Sequence, residues 1–353
     1  MATAGQTSIA ASLTIPSAYL LVLMNAPGAD PAALLQGSGL TPETLVSSGR
    51  IPIAQLAYVL RRYRDWFAQS DWALRVGSQF GINSHGPLGF GALSAATLGA
   101  GIDTLVRYAP ARASWMSGSV GVGHGECRVD LTVVTDLEDL VVPLIEIVTV
   151  VIQSYLNVVR AQPSREAVIE LPFADPGYTA AYAEVVNGSV QFDATQWRIR
   201  FPARWRAQAS PFSDPDMYVA AVAKCEQELE LIGRTAHRVR GLLARAFLQR
   251  INGARHPLAP IPTAEQLATE LHVAPRTLIR HLKREGTSYQ ALRDDLLAGF
   301  LRTLLAQHRM PLADVSSRLG FDDPANFTRA CRRLLQQTPT ALRSASIHDR
   351  RAR

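Results

Sequence analysis

Along the first 110 residues, apolar positions recur at three- and four-residue intervals, the spacing of amphipathic helices. The intervals predict helices over 16–24, 31–37, 53–68 and 71–80. Thr41-Pro42-Glu43 marks a further helix start, with Thr as cap and Pro in the first turn. Ser84-His85-Gly86-Pro87-Leu88-Gly89-Phe90-Gly91 reads as a Gly-rich turn before helices at 92–98 and around 102–108. Beyond Pro110 the period shortens to two. Residues 113–121 and 127–134 alternate as strands, with His124-Gly125-Glu126 at the hairpin turn. The strongly apolar stretch 140–159 is interrupted by Glu146, Gln153 and Asn157, and reads as a buried helix rather than a membrane span. A strand at 167–171, a helix at 177–186 and a strand at 189–198 complete a β-β-α-β-α-β order, which implies a small sheet with helices packed on it.

Ser210-Pro211-Phe212-Ser213-Asp214-Pro215 punctuates the chain, and helices follow at 216–232 and 234–251. In the first of these, Val219, Val222, Leu229 and Ile232 form a stripe suited to packing on its own domain or on a second protomer. A Pro-rich loop occupies 252–262. The expected organisation is a first domain at 1–207, a linker helix at 208–233 and a second domain at 234–353. The expected fold class is an α+β first domain, helices plus a small sheet, followed by an all-α domain with two helix-turn-helix motifs.

Those two motifs are the most informative pattern in the chain. Each has a short amphipathic helix, a tight turn and a second helix with an Arg-rich open face. In the first, a short helix runs over 263–271, and the second helix follows the turn at His272-Val273-Ala274. Leu278 and Leu282, four apart, face the core and leave Arg276, Ile279, Arg280 and Lys283 on the open side. In the second motif Phe327 turns inward, while Ala325, Asn326 and Arg329 face outward. A connecting helix at 288–307 would be about 30 Å long at 1.5 Å per residue. One turn of B-DNA is about 34–36 Å, so such a rod can hold two recognition helices in successive major grooves.

Charge sharpens this picture. Residues 1–233 hold 15 Lys and Arg against 21 Asp and Glu, a balance of −6, whereas 234–353 hold 21 against 9, a balance of +12. A basic third joined to an acidic remainder is the footprint of a nucleic-acid-binding domain beside a domain with a different task. Three widely spaced cysteines, Cys127, Cys225 and Cys331, form no metal-ligand spacing and fit a reducing cytoplasm, and no signal peptide is credible. No metal and no cofactor is expected. His124-Gly125-Glu126 lacks the cysteine pair of a zinc deaminase, and Gly86, Gly89 and Gly91 do not follow a strand as a phosphate cradle requires.

The tandem motifs resemble the AraC/XylS family of transcriptional regulators. The resemblance rests on Arg276-Thr277-Leu278, Arg280 and Leu282, on Leu319-Gly320-Phe321-Asp322-Asp323, on Asn326-Phe327-Thr328-Arg329, and on the closing Thr338-Pro339. The first domain is similar, more diffusely, to the long non-cupin sensing domain of ornithine- and arginine-utilisation and virulence regulators, through Gly86-Pro87-Leu88-Gly89 and Leu105-Val106-Arg107-Tyr108. The chain departs from the family where Ala274 replaces a capping Ser, Cys331 a Phe, and Gln336 a Gly near a helix end.

These readings assign base contacts to Arg276, Ile279, Arg280, Ala325, Asn326 and Arg329, and phosphate contacts to Thr277, Lys283, Thr328, Arg332 and Arg333. Arg can bond guanine, and Asn adenine, through two hydrogen bonds. Trp66, His85, Phe90 and Trp115 are candidate pocket walls for an apolar or amphiphilic small-molecule effector. The expected partners are double-stranded DNA, that effector, a second copy of the chain and, as a further candidate, RNA polymerase, with no membrane. Two rival functions stand beside a ligand-responsive transcription factor: an enzyme domain on a DNA tether, and a ligand-independent DNA-binding dimer. No acid/base pair or nucleophile constellation stands out in 1–207.

Overall fold

The computed structural model describes residues 13–26, 28–135, 137–232, 234–253, 258–306 and 310–344. Pro257 of the expected loop and Gln307 at the end of the expected connecting helix lie outside them. The chain divides into two compact units: residues 1–132 with 139–232, and residues 133–138 with 233–353.

The first unit is α+β. A two-stranded antiparallel ribbon joins β1 (Thr14–Pro16) to β2 (Arg50–Pro52), around α1 (Ala18–Met24), α2 (Pro31–Leu35) and α3 (Pro42–Ser48). Thr41 caps α3 as its sequence signals, in a capping box closed by Thr44. Helices α4 (Ile53–Phe67), α5 (Trp72–Gln79), α6 (Pro87–Ser94) and α7 (Leu98–Arg112) follow. The expected turn at 84–91 is only half a turn, because Pro87 opens a helix that contains Gly89 and Gly91. Gly89 is there for close approach. A Cβ on it would lie 1.8 Å from the Ile82 carbonyl oxygen.

The sheet then forms from β3 (Met116–Gly123) and β4 (Glu126–Val133). After α8 (Val141–Arg160) come β5 (Val168–Glu170), α9 (Thr179–Val185), β6 (Ser189–Gln191) and β7 (Trp197–Pro202). The strand expected over 189–198 is in fact two. Asp193, at φ +54°, breaks it, and the longer strand runs on to Pro202. The five strands lie in the order β3-β4-β7-β5-β6, with β7 antiparallel to both β4 and β5, and β5 parallel to β6. Alternation gives the sheet two faces. Cys127, Val129, Leu131, Trp197, Ile199 and Phe201 are buried, while Glu126, Asp130, Glu170, Arg198 and Arg200 form an ion-pair ladder on the other face. The apolar α8 is long enough to cross a membrane by length and composition, yet Leu144, Ile145, Val150, Tyr155, Leu156 and Val159 are all buried in the unit.

Helix α10 (Pro215–Leu231) packs on α6 and α7. Its buried stripe is Ala221, Cys225 and Leu229, spaced i, i+4, i+8. Of the stripe expected from sequence only Leu229 is buried, and Val219 is 67% exposed. The small Ala and Cys let α10 sit close against its neighbours where bulkier valines would hold it off.

The second unit is helical: α11 (Arg234–Asn252), α12 (Ala264–Glu270), α13 (Pro275–Arg284), α14 (Tyr289–Ala306), α15 (Leu312–Arg318) and α16 (Pro324–Leu335). Helix α14 has 18 residues, about 27 Å at 1.5 Å per residue. Phe247, Leu267, Leu278, Leu282, Leu292, Leu296, Leu301, Leu319 and Phe327 form its core.

Candidate nucleic-acid interface and effector cavity

In the second unit the sequence spacing translates directly into exposure. Thr263 and Gln266 close a capping box that starts α12, and the turn into α13 passes through His272 at φ +56°. Leu278 and Leu282 are buried. Arg276, Ile279, Arg280 and Lys283 are exposed together on the opposite face of α13, with Thr277 half-buried beside them. Ile279 is 58% exposed, unusual for so large an apolar side chain and suited to contact with a thymine methyl group. Ala274 caps α13 without any side-chain hydrogen bond, so a backbone donor that a Ser would satisfy goes unbonded by the cap.

The second motif is built alike. Asp323 caps α16 by accepting from the Ala325 amide at 2.9 Å. Phe327, Ala330 and Cys331 are buried, while Ala325, Asn326, Arg329, Arg332 and Arg333 are exposed. Three side chains have specific partners. Arg329 donates to the Asn326 side-chain oxygen one turn away. Thr328 donates to the Pro324 carbonyl at 3.0 Å. Arg333 forms a fork with both oxygens of Asp294 on α14, at 2.6 and 2.8 Å, and holds that carboxyl below the usual carboxylate range. The guanidinium of Arg333, counted from sequence among the phosphate contacts, is thus engaged within the unit, whereas Arg332 stands free of any such fork.

The helices are held by side chains that sequence reasoning passed over. Glu285, just beyond α13, accepts from the Thr235 and Ala236 amides at 3.1 and 2.7 Å and so caps α11, favourably placed at the positive end of that helix. Arg240 on α11 and Asp295 on α14 form a buried pair at 3.7 Å. Arg250 and Arg318 bond the ends of each other's helices.

The first unit contains a cavity of about 120 Å³. Its wall is drawn from β1, α1, α4, α5, α6, α7, β3, β4, α8 and the turns between them, and is almost wholly apolar, with Leu60, Phe80, Leu105, Trp115, Leu131 and Ile152 representative. Of the four wall candidates taken from sequence, His85 and Trp115 line it. Trp66 and Phe90 do not. They are 49% and 45% exposed, and the Trp66 ring nitrogen donates to the Gly28 carbonyl.

Polar groups gather at one end of the cavity. The Tyr19 hydroxyl lies 2.8 Å from His85 Nδ1. Burial, reinforced by the nearby Arg112 charge, pushes the His85 imidazole down to about 4, so it is neutral at physiological pH. Burial also raises the Tyr19 phenol, which stays protonated and can donate to Nδ1, leaving the imidazole proton on Nε2. Among the described residues that Nε2 is buried without a hydrogen-bond partner, and so is Nε of Arg112. Arg112, only 8% exposed, lies over the Tyr19 ring and reaches Glu228 of α10 at 3.3 and 3.4 Å. Tyr19 and Arg112 carried no signal in the sequence. An Arg at a helix end and a Tyr in a short apolar run look like surface and core.

A tandem helix-turn-helix unit with basic open faces, carried on one chain with an α+β unit that encloses an apolar cavity, defines a one-chain DNA-binding regulator. Comparison with known proteins gives the family. The arabinose-binding N-terminal domain of AraC transcription regulators matches residues 28–210, and a helix-turn-helix domain matches 267–345. The chain belongs to the AraC family of transcription regulators. It is similar to the ornithine utilization regulator of Pseudomonas aeruginosa, 27% identical over 337 residues that cover 94% of this chain and 96% of that one. It is also similar to the transcriptional regulator VirS of Mycobacterium tuberculosis, 25% identical over 332 residues, 91% and 93% of the two chains. Among solved structures, the transcriptional regulator CdpR of Pseudomonas aeruginosa aligns over 93% of this chain and 98% of its own, at 20% identity and a TM-score of 0.42.

Proposed function

We propose that this regulator binds a bipartite operator through α13 and α16 and adjusts that binding to an apolar or amphiphilic effector held in the cavity of its first unit. The observation that carries the effector reading is the cavity wall. A sugar would leave several hydroxyls unpaired against Leu, Val, Ile and Phe, at a cost of about 1–3 kcal/mol each. A free amino acid such as ornithine would bring cationic amines beside Arg112. An apolar body with a single polar end meets neither penalty.

On the DNA side, Arg276, Ile279 and Arg280 read bases from α13, and Ala325, Asn326 and Arg329 from α16. Thr277, Lys283, Thr328 and Arg332 take phosphates, and Arg333 braces α16 on α14 instead. Two copies of the chain act together, RNA polymerase is the downstream partner, and the protein works in the cytoplasm, where three free buried thiols are at no disadvantage. The test is a fluorescence-anisotropy titration of the full chain on operator DNA, with and without a molecule shown by calorimetry to fill the cavity. A change in affinity or stoichiometry is expected. An operator isotherm that does not move at saturating ligand would overturn the effector reading.

A further inference from the structure

We propose that the effector is a compact apolar monocarboxylic acid, whose carboxylate takes Arg112 from Glu228 and so unfastens α10. The inference rests on the cavity being the effector site.

Three observations converge on the chemistry. First, two residues that line the cavity, His85 and Arg112, each carry a buried N–H donor, Nε2 and Nε, without a partner among the described residues. Two donors close to one guanidinium call for acceptor oxygens, and a carboxylate brings two. Second, the charge there is unbalanced. Arg50 and Arg112 interact electrostatically with each other and with one carboxylate, Glu228. Arg50 spends its hydrogen bonds on neutral acceptors, the Thr14 hydroxyl and the Thr14 and Ala111 carbonyls, so its charge has no other counter-ion among these partners. Two cations against one anion leave room for one more negative charge. Third, the remaining wall is hydrocarbon. A cavity of about 150 Å³ holds benzene, so at about 120 Å³ this one takes about four carbons beyond the head group.

The regulatory part follows from where Glu228 sits. Two carboxylates fasten α10 to α7. Glu226 accepts from the Tyr108 hydroxyl at 2.7 Å and from Arg107 at 3.0 Å, and none of the three lines the cavity. Glu228 reaches Arg112 only at 3.3–3.4 Å, a long pairing for two largely buried ions. Glu228 thus acts as an internal stand-in for the effector's head group. Exchange releases the C-terminal turn of α10, the helix that ends two residues before the second unit resumes, while Glu226 remains as its hinge.

The test uses the full chain with butanoate, pentanoate, 1-pentanol and methyl butanoate as probes, read by calorimetry and by fluorescence of Trp115, which lines the cavity. Pentanoate is expected to bind at least tenfold more tightly than the alcohol or ester, and each methylene that fits should tighten binding about fourfold. Glu228→Gln removes the competitor and should tighten pentanoate about fivefold with 1-pentanol unchanged. Arg112→Gln should erase the preference for the acid. Hydrogen exchange in 225–231 should quicken when pentanoate binds wild type. Equal affinity for acid and alcohol would overturn the carboxylate assignment while leaving the cavity as an effector site. Acid preference without tightening in Glu228→Gln, or with slower exchange in α10, would overturn the exchange. If none of the four probes binds, the cavity reading itself falls. Should Arg112→Gln fail to fold, the head-group series on wild type and the Glu228→Gln comparison decide alone.

Discussion

Arg250 and Arg318 each terminate the other's helix. Arg250, in the last turn of α11, donates to the Ser317 and Arg318 carbonyls at 2.6 and 3.0 Å at the end of α15, where Ser317 also accepts from the Gly320 amide at 3.0 Å. Arg318 returns the favour at the end of α11, bonding the Ile251 and Gly253 carbonyls. Arg250 further reaches the carbonyls of Leu258 and Ala259. Two positive charges are held side by side because each lies at the negative end of the other's helix dipole.

Arg250→Ala should therefore destabilise the second unit by about 2–3 kcal/mol, through lost charge-assisted bonds and several carbonyls left without donors. Arg318→Ala should cost less, since it holds fewer carbonyls. The double variant should fall short of the sum, because each change disturbs the same pair of helix ends. Urea unfolding of the three variants measures this, and strict additivity would show the two arginines to be independent.

Two departures from the family pattern should be correctable. Gln336 ends α16 in the left-handed region, at φ +58°, where glycine is at ease and a side chain is not. Gln336→Gly should raise stability by about 0.5–1 kcal/mol. Ala274→Ser should add about 1 kcal/mol by supplying the missing cap of α13. Thermal melts of the full chain would record both as higher midpoints.

DNA contacts should separate by the free or engaged state of each arginine. Arg280→Ala should reduce discrimination at one operator position by about 1–3 kcal/mol. Arg332→Ala should weaken all sequences alike and lower the slope of log K against log salt by about 0.9. Arg333→Ala should leave that slope nearly unchanged and instead loosen α16, since its fork is bound to Asp294. Salt titrations on single-base operator variants distinguish the three.

Glu146 makes stability depend on pH in an uncommon direction. It is 1% exposed in the middle of α8, and burial pushes its carboxyl up to about 7 although the Tyr178 and Tyr182 hydroxyls donate to it. A carboxyl raised on folding favours the folded state while protonated. Its contribution is whole below the ordinary value of 4.5 and is lost as pH rises through about 7, a change of about 3 kcal/mol. His85 acts oppositely. Lowered to about 4, it costs stability as pH falls from 6.5. The difference between wild type and Glu146→Gln isolates the carboxyl. Between pH 4.5 and 8, wild type should lose ground steadily to the variant, and parallel curves would place Glu146 at an ordinary pKa.

The DNA-reading half was legible because its information is local. Pro275, Leu278 and Leu282 fix a start and a buried face within eight residues, and exposure of Arg276 and Arg280 follows. The cavity was not legible for the opposite reason. Its wall is gathered from residues as far apart as Ile15 and Ile152, each indistinguishable in sequence from ordinary core. His85 and Trp115 line the cavity and Trp66 and Phe90 do not, although residue type alone singled out all four, since type says nothing of which side of a helix faces inward. The short strands β1 and β2 escaped because three residues cannot show a period. The α10 stripe was misplaced because small residues, Ala221 and Cys225, carry the packing there rather than the valines.

The strand order has a consequence for how the first unit comes into being. Strand β7 is the last of the five in sequence yet occupies the centre of the sheet, between β4 and β5. Until the chain has grown past Pro202, the hairpin β3-β4 and the pair β5-β6 share no edge, and the apolar faces of Val129, Leu131 and Ile169 have no strand between them. The sheet is therefore assembled by insertion rather than by growth from one side, with long loops to close before its central pairing is made, a slow arrangement by topology alone. Any fragment ending short of β7 carries two half-sheets and no sensor.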